Sequence, residues 1–116
     1  MQYLLLIYHN EAEASARGEA AAAAMHQEYG AFTQSIVKSG NFKAGDALQP
    51  TSTATTVRVR NGKVMTTDGP FAETREQLAG YYLVEAKDLD EATALAARIP
   101  SAREGSIEVR PIRKVG

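Results

Sequence analysis

The first apolar positions come in an unbroken run, Tyr3 to Tyr8, stopped by His9-Asn10-Glu11. Because no polar residue alternates within it, the pattern over Gln2–Tyr8 predicts a strand buried on both faces. His9–Gly18 is polar and ends in glycine, which predicts a loop without core-forming residues. From Glu19 to Ser39 the period changes. Met25, Tyr29, Phe32 and Ile36 recur at steps of four, three and four, which is one face of a helix. Gly40 stands where a helix C-terminal glycine belongs.

Asn41–Thr53, with Gly45 and Pro50, reads as a connecting stretch. Strict alternation follows, placing Val57 and Val59 inward and Arg58 and Arg60 outward. Asn61-Gly62 then fits a type I′ hairpin turn, in which both central residues need positive φ and Val59 pairs with Val64. The return strand, Lys63–Thr67, leads into Asp68-Gly69-Pro70-Phe71. A second apolar strand spans Gly80–Ala86. Asp88-Leu89-Asp90-Glu91 resembles a capping box for a helix with Leu89, Ala92, Leu95, Ala96 and Ile99 on one side, closed by Pro100. A last strand sets Ile107 and Val109 against Glu108 and Arg110.

The order strand, helix, hairpin, strand, helix, strand predicts an α+β fold: a ferredoxin-like βαββαβ plan with an additional hairpin strand. The two continuous apolar strands belong at the centre of its sheet. Two helices cover only one face of such a sheet, so the other needs a cover. A second copy packed sheet against sheet is the simplest, and the Asn41–Thr53 connection folded over that face is the alternative.

Composition narrows the chemistry. At 116 residues and 44% hydrophobic content the chain suits a single domain, residues 1–116, with one core. It has no cysteine, hence no disulfide frame and no thiolate chemistry, which fits a reducing cytoplasm. A net charge of −1 argues against nucleic acid as a main partner. The apolar N-terminal run is far shorter than the roughly 20 residues a bilayer span needs, and it lacks the flanks of a signal peptide. No membrane association is expected.

His9 and His26 show none of the spacings of a histidine metal site, so neither metal nor other cofactor is expected. His26 lies one residue off the apolar helix face, and Gly30 follows four residues later. Glycine inside a helix costs about 1 kcal/mol relative to alanine. Close packing of a tyrosine from a neighbouring strand would explain it, as would room for a small ligand beside His26. Asp68 ends a strand at the Gly-Pro turn, where its carboxylate either braces the turn or serves as acid, base or ligand anchor. Glu73 and Glu76 follow; either one turned toward Asp68 would raise one of the two carboxyl pKa values. Arg110, beside Glu108, is a candidate anchor for an anionic ligand or half of a surface ion pair.

The opening Tyr3–Tyr8 run, the stretch Asp68-Gly69-Pro70-Phe71-Ala72-Glu73-Thr74-Arg75-Glu76-Gln77-Leu78-Ala79-Gly80-Tyr81-Tyr82, the segment Leu89–Ala92 and the ending Glu108-Val109-Arg110-Pro111 together resemble the DGPF branch of the YCII-related domain family. The resemblance implies a ferredoxin-like fold of the dimeric α+β barrel type and a homodimer joined through the helix-free sheet face. It also implies a bacterial cytoplasmic protein whose activity is largely unassigned. Some members are linked to extracytoplasmic-function sigma factors. Elsewhere in the family an enzyme acts on a chlorinated aromatic ring, and a helix histidine with an aspartate is the proposed active-site pair. Here the aspartate position is Ile99, before Pro100, and the histidine aligns nearer Tyr29 than His26. A site in this chain would therefore draw its carboxylate from Asp68, with His26 and Glu73 as catalytic partners and Tyr29, Phe71 and Arg110 as ligand contacts. Two functions follow. One is a small-molecule site near Asp68 with cofactor-free acid–base chemistry of lyase or isomerase type. The other is a non-catalytic module serving a sigma-factor regulator.

Overall fold

The computed structural model describes residues 1–114. In chain order its main elements are β1 (Gln2–His9), α1 (Glu11–Ala16), α2 (Glu19–Lys38), β2 (Phe42–Ala47), β3 (Thr55–Arg60), β4 (Lys63–Asp68), β5 (Gln77–Glu85), α3 (Leu89–Ala97) and β6 (Ser106–Pro111). Single 3-10 turns occupy Thr51–Thr53 and Pro100–Arg103. The fold is α+β, with an antiparallel four-stranded sheet in the order β2-β5-β1-β6 and a separate two-stranded hairpin, β3-β4.

The two apolar strands lie side by side at the centre, as their lack of alternation requires. Leu5 pairs with Tyr82 on one side and Val109 on the other. Tyr3, Leu5 and Ile7 of β1 join Tyr82 and Val84 of β5 on the face covered by α2 and α3, and all five are buried. Phe32 and Ile36 of α2 and Ala92, Leu95 and Ala96 of α3, together with Ile99 just beyond it, complete this core. Leu89, expected on the inner side of its helix, is exposed at the first helical position, directly after the Asp88 cap. Asp88 caps α3 as its position implies, accepting the Glu91 N–H at 2.9 Å, while the Glu91 carboxylate accepts from the Lys87 N–H.

Two segments differ from expectation. The polar stretch after His9 is not a loop throughout. Asn10 accepts the Glu13 N–H at 2.9 Å and so starts the short helix α1, which buries no residue completely. The connecting stretch after Gly40 supplies the fourth strand of the sheet. β2 pairs with β5, and neither hairpin strand enters the sheet. β2 escapes pattern recognition because its sequence, Phe-Lys-Ala-Gly-Asp-Ala, is small and polar apart from Phe42. Gly45 explains part of that. A Cβ there would stand 2.7 Å from the Tyr82 ring, so glycine lets the tyrosine lie across the edge strand. Gly30 has no such duty, since a Cβ at that position meets nothing within 4 Å.

The Asn61-Gly62 turn forms as the dipeptide predicts, with φ of 51° and 74°, and Val59 faces Val64. The hairpin's packing is almost entirely with itself. Val57 and Val59, expected inward, are 60% and 57% exposed. The alternation is real, but nothing among the described residues covers the valine side. The fold is a slab of 47 × 46 × 19 Å, one sheet deep and one helix layer thick. Its radius of gyration, 16.1 Å, exceeds the roughly 13 Å usual for this length, as a projecting hairpin requires. No helix among the described residues is long and apolar enough to cross a membrane.

The sheet's second face carries Leu4, Leu6 and Tyr8 of β1 beside Leu78, Tyr81 and Leu83 of β5, all partly exposed. The Asn41–Thr53 connection does not fold over it. β2 extends the sheet edge, and the Thr51 turn is drawn to α1, where the Glu11 carboxylate accepts the Thr51 N–H at 2.9 Å.

Candidate functional site

α1, α2 and the Pro100–Arg103 turn converge around the end of β1 and enclose a cleft. Two hollows of about 480 and 660 Å³ meet there, sharing His9, Ala14, Met25, Tyr29 and Ser101 as walls. His9 arrives as the last residue of β1. Met25 and Tyr29 arrive one turn apart on α2, on the half-buried flank of its apolar face. Ser101 is placed by Pro100, which ends the helical run and tightens the chain into a 3-10 turn.

At the floor the Tyr29 phenol donates to Ser101 Oγ at 2.6 Å. Ser101 is the one buried polar residue among the described residues, at 7% exposure. Burial pushes the Tyr29 hydroxyl above the usual tyrosine range, and the hydrogen bonds from Ser101 only partly oppose it. Tyr29 therefore stays a neutral hydrogen-bonding group at physiological pH.

His26 lines the first hollow with Arg17 and Arg103. Each arginine is neutralised across the cleft mouth, Arg17 by Glu104 and Arg103 by Glu28, the latter at 2.8 Å. These are exposed pairs that tie α1 and α2 to the Pro100 turn and add little stability. The second hollow continues between α1 and the β2–β3 connection, past Leu48, Pro50 and Leu78. The walls thus combine alanine, methionine and leucine with the Tyr29 phenol, the Ser15 and Ser101 hydroxyls and the His9 and His26 imidazoles, and the ion-paired Arg17, Glu28, Arg103 and Glu104 rim the first hollow. That composition suits a small, largely apolar organic molecule carrying a polar group. Among the described residues no three His, Asp or Glu side chains are grouped to hold a metal ion.

Of the residues singled out from the sequence, His26 and Tyr29 share this cleft. Asp68 does not line it. It ends β4 opposite Thr55, at the root of the hairpin, and is exposed, as is Glu73 in the following loop. Phe71 is 78% exposed and borders a third hollow of about 560 Å³ with Tyr8, Leu48 and Leu78. Arg110 lies on the second face of the sheet, 3.5 Å from Glu108. Ser101 is not singled out by the sequence, and His9, read there as part of the polar loop after the first strand, is the last residue of β1 and a wall of the cleft. The signal for Ser101 was its place directly after a helix-ending proline, where a hydroxyl turns back into the fold.

One sheet with helices on a single face and a half-buried polar cleft at the strand ends defines a small two-layer α+β protein. The chain belongs to the YCII-related domain family, which matches residues 1–115. It is also similar to an uncharacterised protein of Rhizobium meliloti (strain 1021), 37% identical over 114 residues that cover 97% of this chain and 92% of that protein.

Proposed function

We propose that this protein binds a small, mostly apolar organic molecule in the cleft between α1, α2 and the Pro100 turn. There the Tyr29–Ser101 pair fixes the ligand's polar group, and His26 or His9 exchanges a proton with it. The observation that carries this reading is the 2.6 Å Tyr29–Ser101 hydrogen bond at the floor of a cleft walled by alanines and Met25 and rimmed by the Arg17–Glu104 and Arg103–Glu28 ion pairs. Such chemistry is of lyase or isomerase type and needs only acid–base groups. Asp68 and Glu73 lie off the cleft in one chain, so in this reading they act only if a second chain presents them.

The same proposal takes the sheet as ferredoxin-like and the working unit as a homodimer of the α+β barrel type, closed through the helix-free face. The half-exposed Leu4, Leu6 and Leu83 support it. The test is a two-dimensional NMR screen against phenols and aromatic carboxylic acids. Binding should shift the Tyr29, Ser101 and His26 resonances, and Met25→Trp, which fills the cleft, should abolish those shifts. Shifts confined to other surfaces, or none with any compound, refute the cleft. The alternative of a non-catalytic module serving an extracytoplasmic-function sigma factor draws its support from the exposed hairpin alone.

A further inference from the structure

The cleft has one wall that burial does not hold in place. α2 is anchored by the buried Phe32 and Ile36, and the Pro100 turn by Pro100 and Ser101, but α1 buries no residue completely. Most of the side chains it turns to the two hollows are small, Ala12, Ala14 and Ser15 among them, so moving it uncovers little apolar surface. It has six residues, far below the roughly 12–15 at which a helix on its own becomes even marginal in water.

What holds α1 is polar and sits at its ends. At the first end Asn10 Nδ2 donates to the Arg75 carbonyl at 3.0 Å, and the Glu11 N–H to Gln77 Oε1 at 2.9 Å. The Glu11 carboxylate accepts both donors of Thr51, the N–H at 2.9 Å and the hydroxyl at 2.5 Å. Those two bonds, the hydroxyl's first, hold the Glu11 carboxyl below the usual carboxylate range. The contact is therefore charge-assisted at neutral pH and the strongest of the ties. At the other end stands the Arg17–Glu104 pair, exposed and of a kind that adds little. Gly18 follows at φ 89°, with open space where a side chain would be, and joins α1 to α2. A glycine joint turns without steric penalty.

A segment with few buried apolar contacts and water-exchangeable ties opens at a lower free energy than the sheet beside it. Its position gives that opening a use. Ala14 borders both hollows, so α1 stands where they join, between the solvent and the walls formed by Met25, Tyr29 and Ser101.

We infer that α1 is a lid, latched by Glu11 on Thr51, that swings on Gly18 to admit a ligand to the Tyr29–Ser101 floor. The inference rests on the cleft reading proposed above and supplies its means of access. The Glu11 side chain acts on the latch and not on the ligand.

The test reads access without needing a ligand. The chain has no cysteine, so Met25→Cys places a single thiol on the partly buried wall that faces α1. Its rate of reaction with fluorescein maleimide is measured in the folded protein and, for reference, in urea. The folded rate should be at least tenfold below the unfolded one. Adding Glu11→Ala should raise it roughly tenfold, as expected for losing hydrogen bonds to a charged group. Adding Glu13→Ala, which leaves the latch intact, should not change it. A rate indifferent to Glu11→Ala, or raised equally by Glu13→Ala, overturns the lid. Hydrogen exchange checks the same point with Met25 in place. In Glu11→Ala the amides of Ala14, Arg17 and Thr51 should exchange faster while those of Leu5–Ile7 do not, and unchanged exchange at Thr51 also overturns the latch. The two readings fail separately. If ligand shifts appear in the NMR screen but the labelling rate ignores Glu11→Ala, the cleft stands and the lid falls. If the latch controls labelling and no compound binds, the lid stands and the proposed ligand class falls.

Discussion

Tyr29→Phe removes one oxygen from the cleft floor. Its effect can be worked from two observations, the 2.6 Å bond to Ser101 and the burial of that serine. The phenol itself is only half-buried and loses little solvation. Ser101 Oγ is left without its donor in a place water reaches poorly. An unpaired buried polar group costs about 1–3 kcal/mol, so Tyr29→Phe should destabilise by about 1–2 kcal/mol. Ser101→Ala is the milder change, at about 0.5–1 kcal/mol, because the half-exposed phenol can turn to water for its partner. In the double variant the orphaned atom is gone, so the two losses should not add, leaving a coupling of roughly 1 kcal/mol. Urea unfolding of the four proteins at neutral pH gives these values if the slopes stay constant. A Tyr29→Phe loss below about 0.3 kcal/mol together with zero coupling would show that the pair is not formed in solution, and the proposed ligand anchor would go with it.

The same tyrosine and Tyr82 are both pushed above the ordinary phenol range by burial, opposed by their hydroxyl partners Ser101 and Thr33. The unfolded chain therefore gives up these protons first as pH rises. Their contribution is whole below about pH 10 and is lost as pH climbs through the folded values. Stability measured from pH 8 upward should fall less steeply in Tyr29→Phe than in the wild type, and equal slopes would contradict this. Gly105→Ala would set a methyl group against the Tyr8 carbonyl of the central strand, and thermal unfolding should show a loss of about 1–3 kcal/mol. Gly30→Ala meets open space in the middle of α2 and should stabilise by up to about 1 kcal/mol in the same assay; destabilisation would mean that the position faces something the single chain does not contain. Asp88→Ala removes the cap of α3 and should cost about 1 kcal/mol.

The centre of the fold was legible in the sequence because burial on both faces leaves no alternation, and only β1 and β5 have that property. α2 and α3 were legible through apolar spacing and their end signals. β2 was not, because an edge strand that yields to the Tyr82 ring carries glycine and small residues, which read as a connection. α1 was missed for a related reason: it buries nothing completely and has no apolar stripe to betray it. For the hairpin, turn, register and alternation were all plain, but alternation cannot state whether the apolar side is covered, and Val57, Val59 and Val64 are exposed. The cleft was half legible. His26 and Tyr29 lie one turn apart on one helix, but His9 and Ser101 reach them from distant parts of the chain, a proximity that no local spacing encodes.

The strand order also bears on how the chain folds. β1 is flanked by β5 and β6, so Leu4, Leu5, Leu6 and Ile7 find their strand neighbours only in Gln77–Glu85 and Ser106–Pro111. Contacts so distant along the sequence should make folding slow for so small a domain, and an apolar central strand that waits for both neighbours is open to aggregation in the meantime.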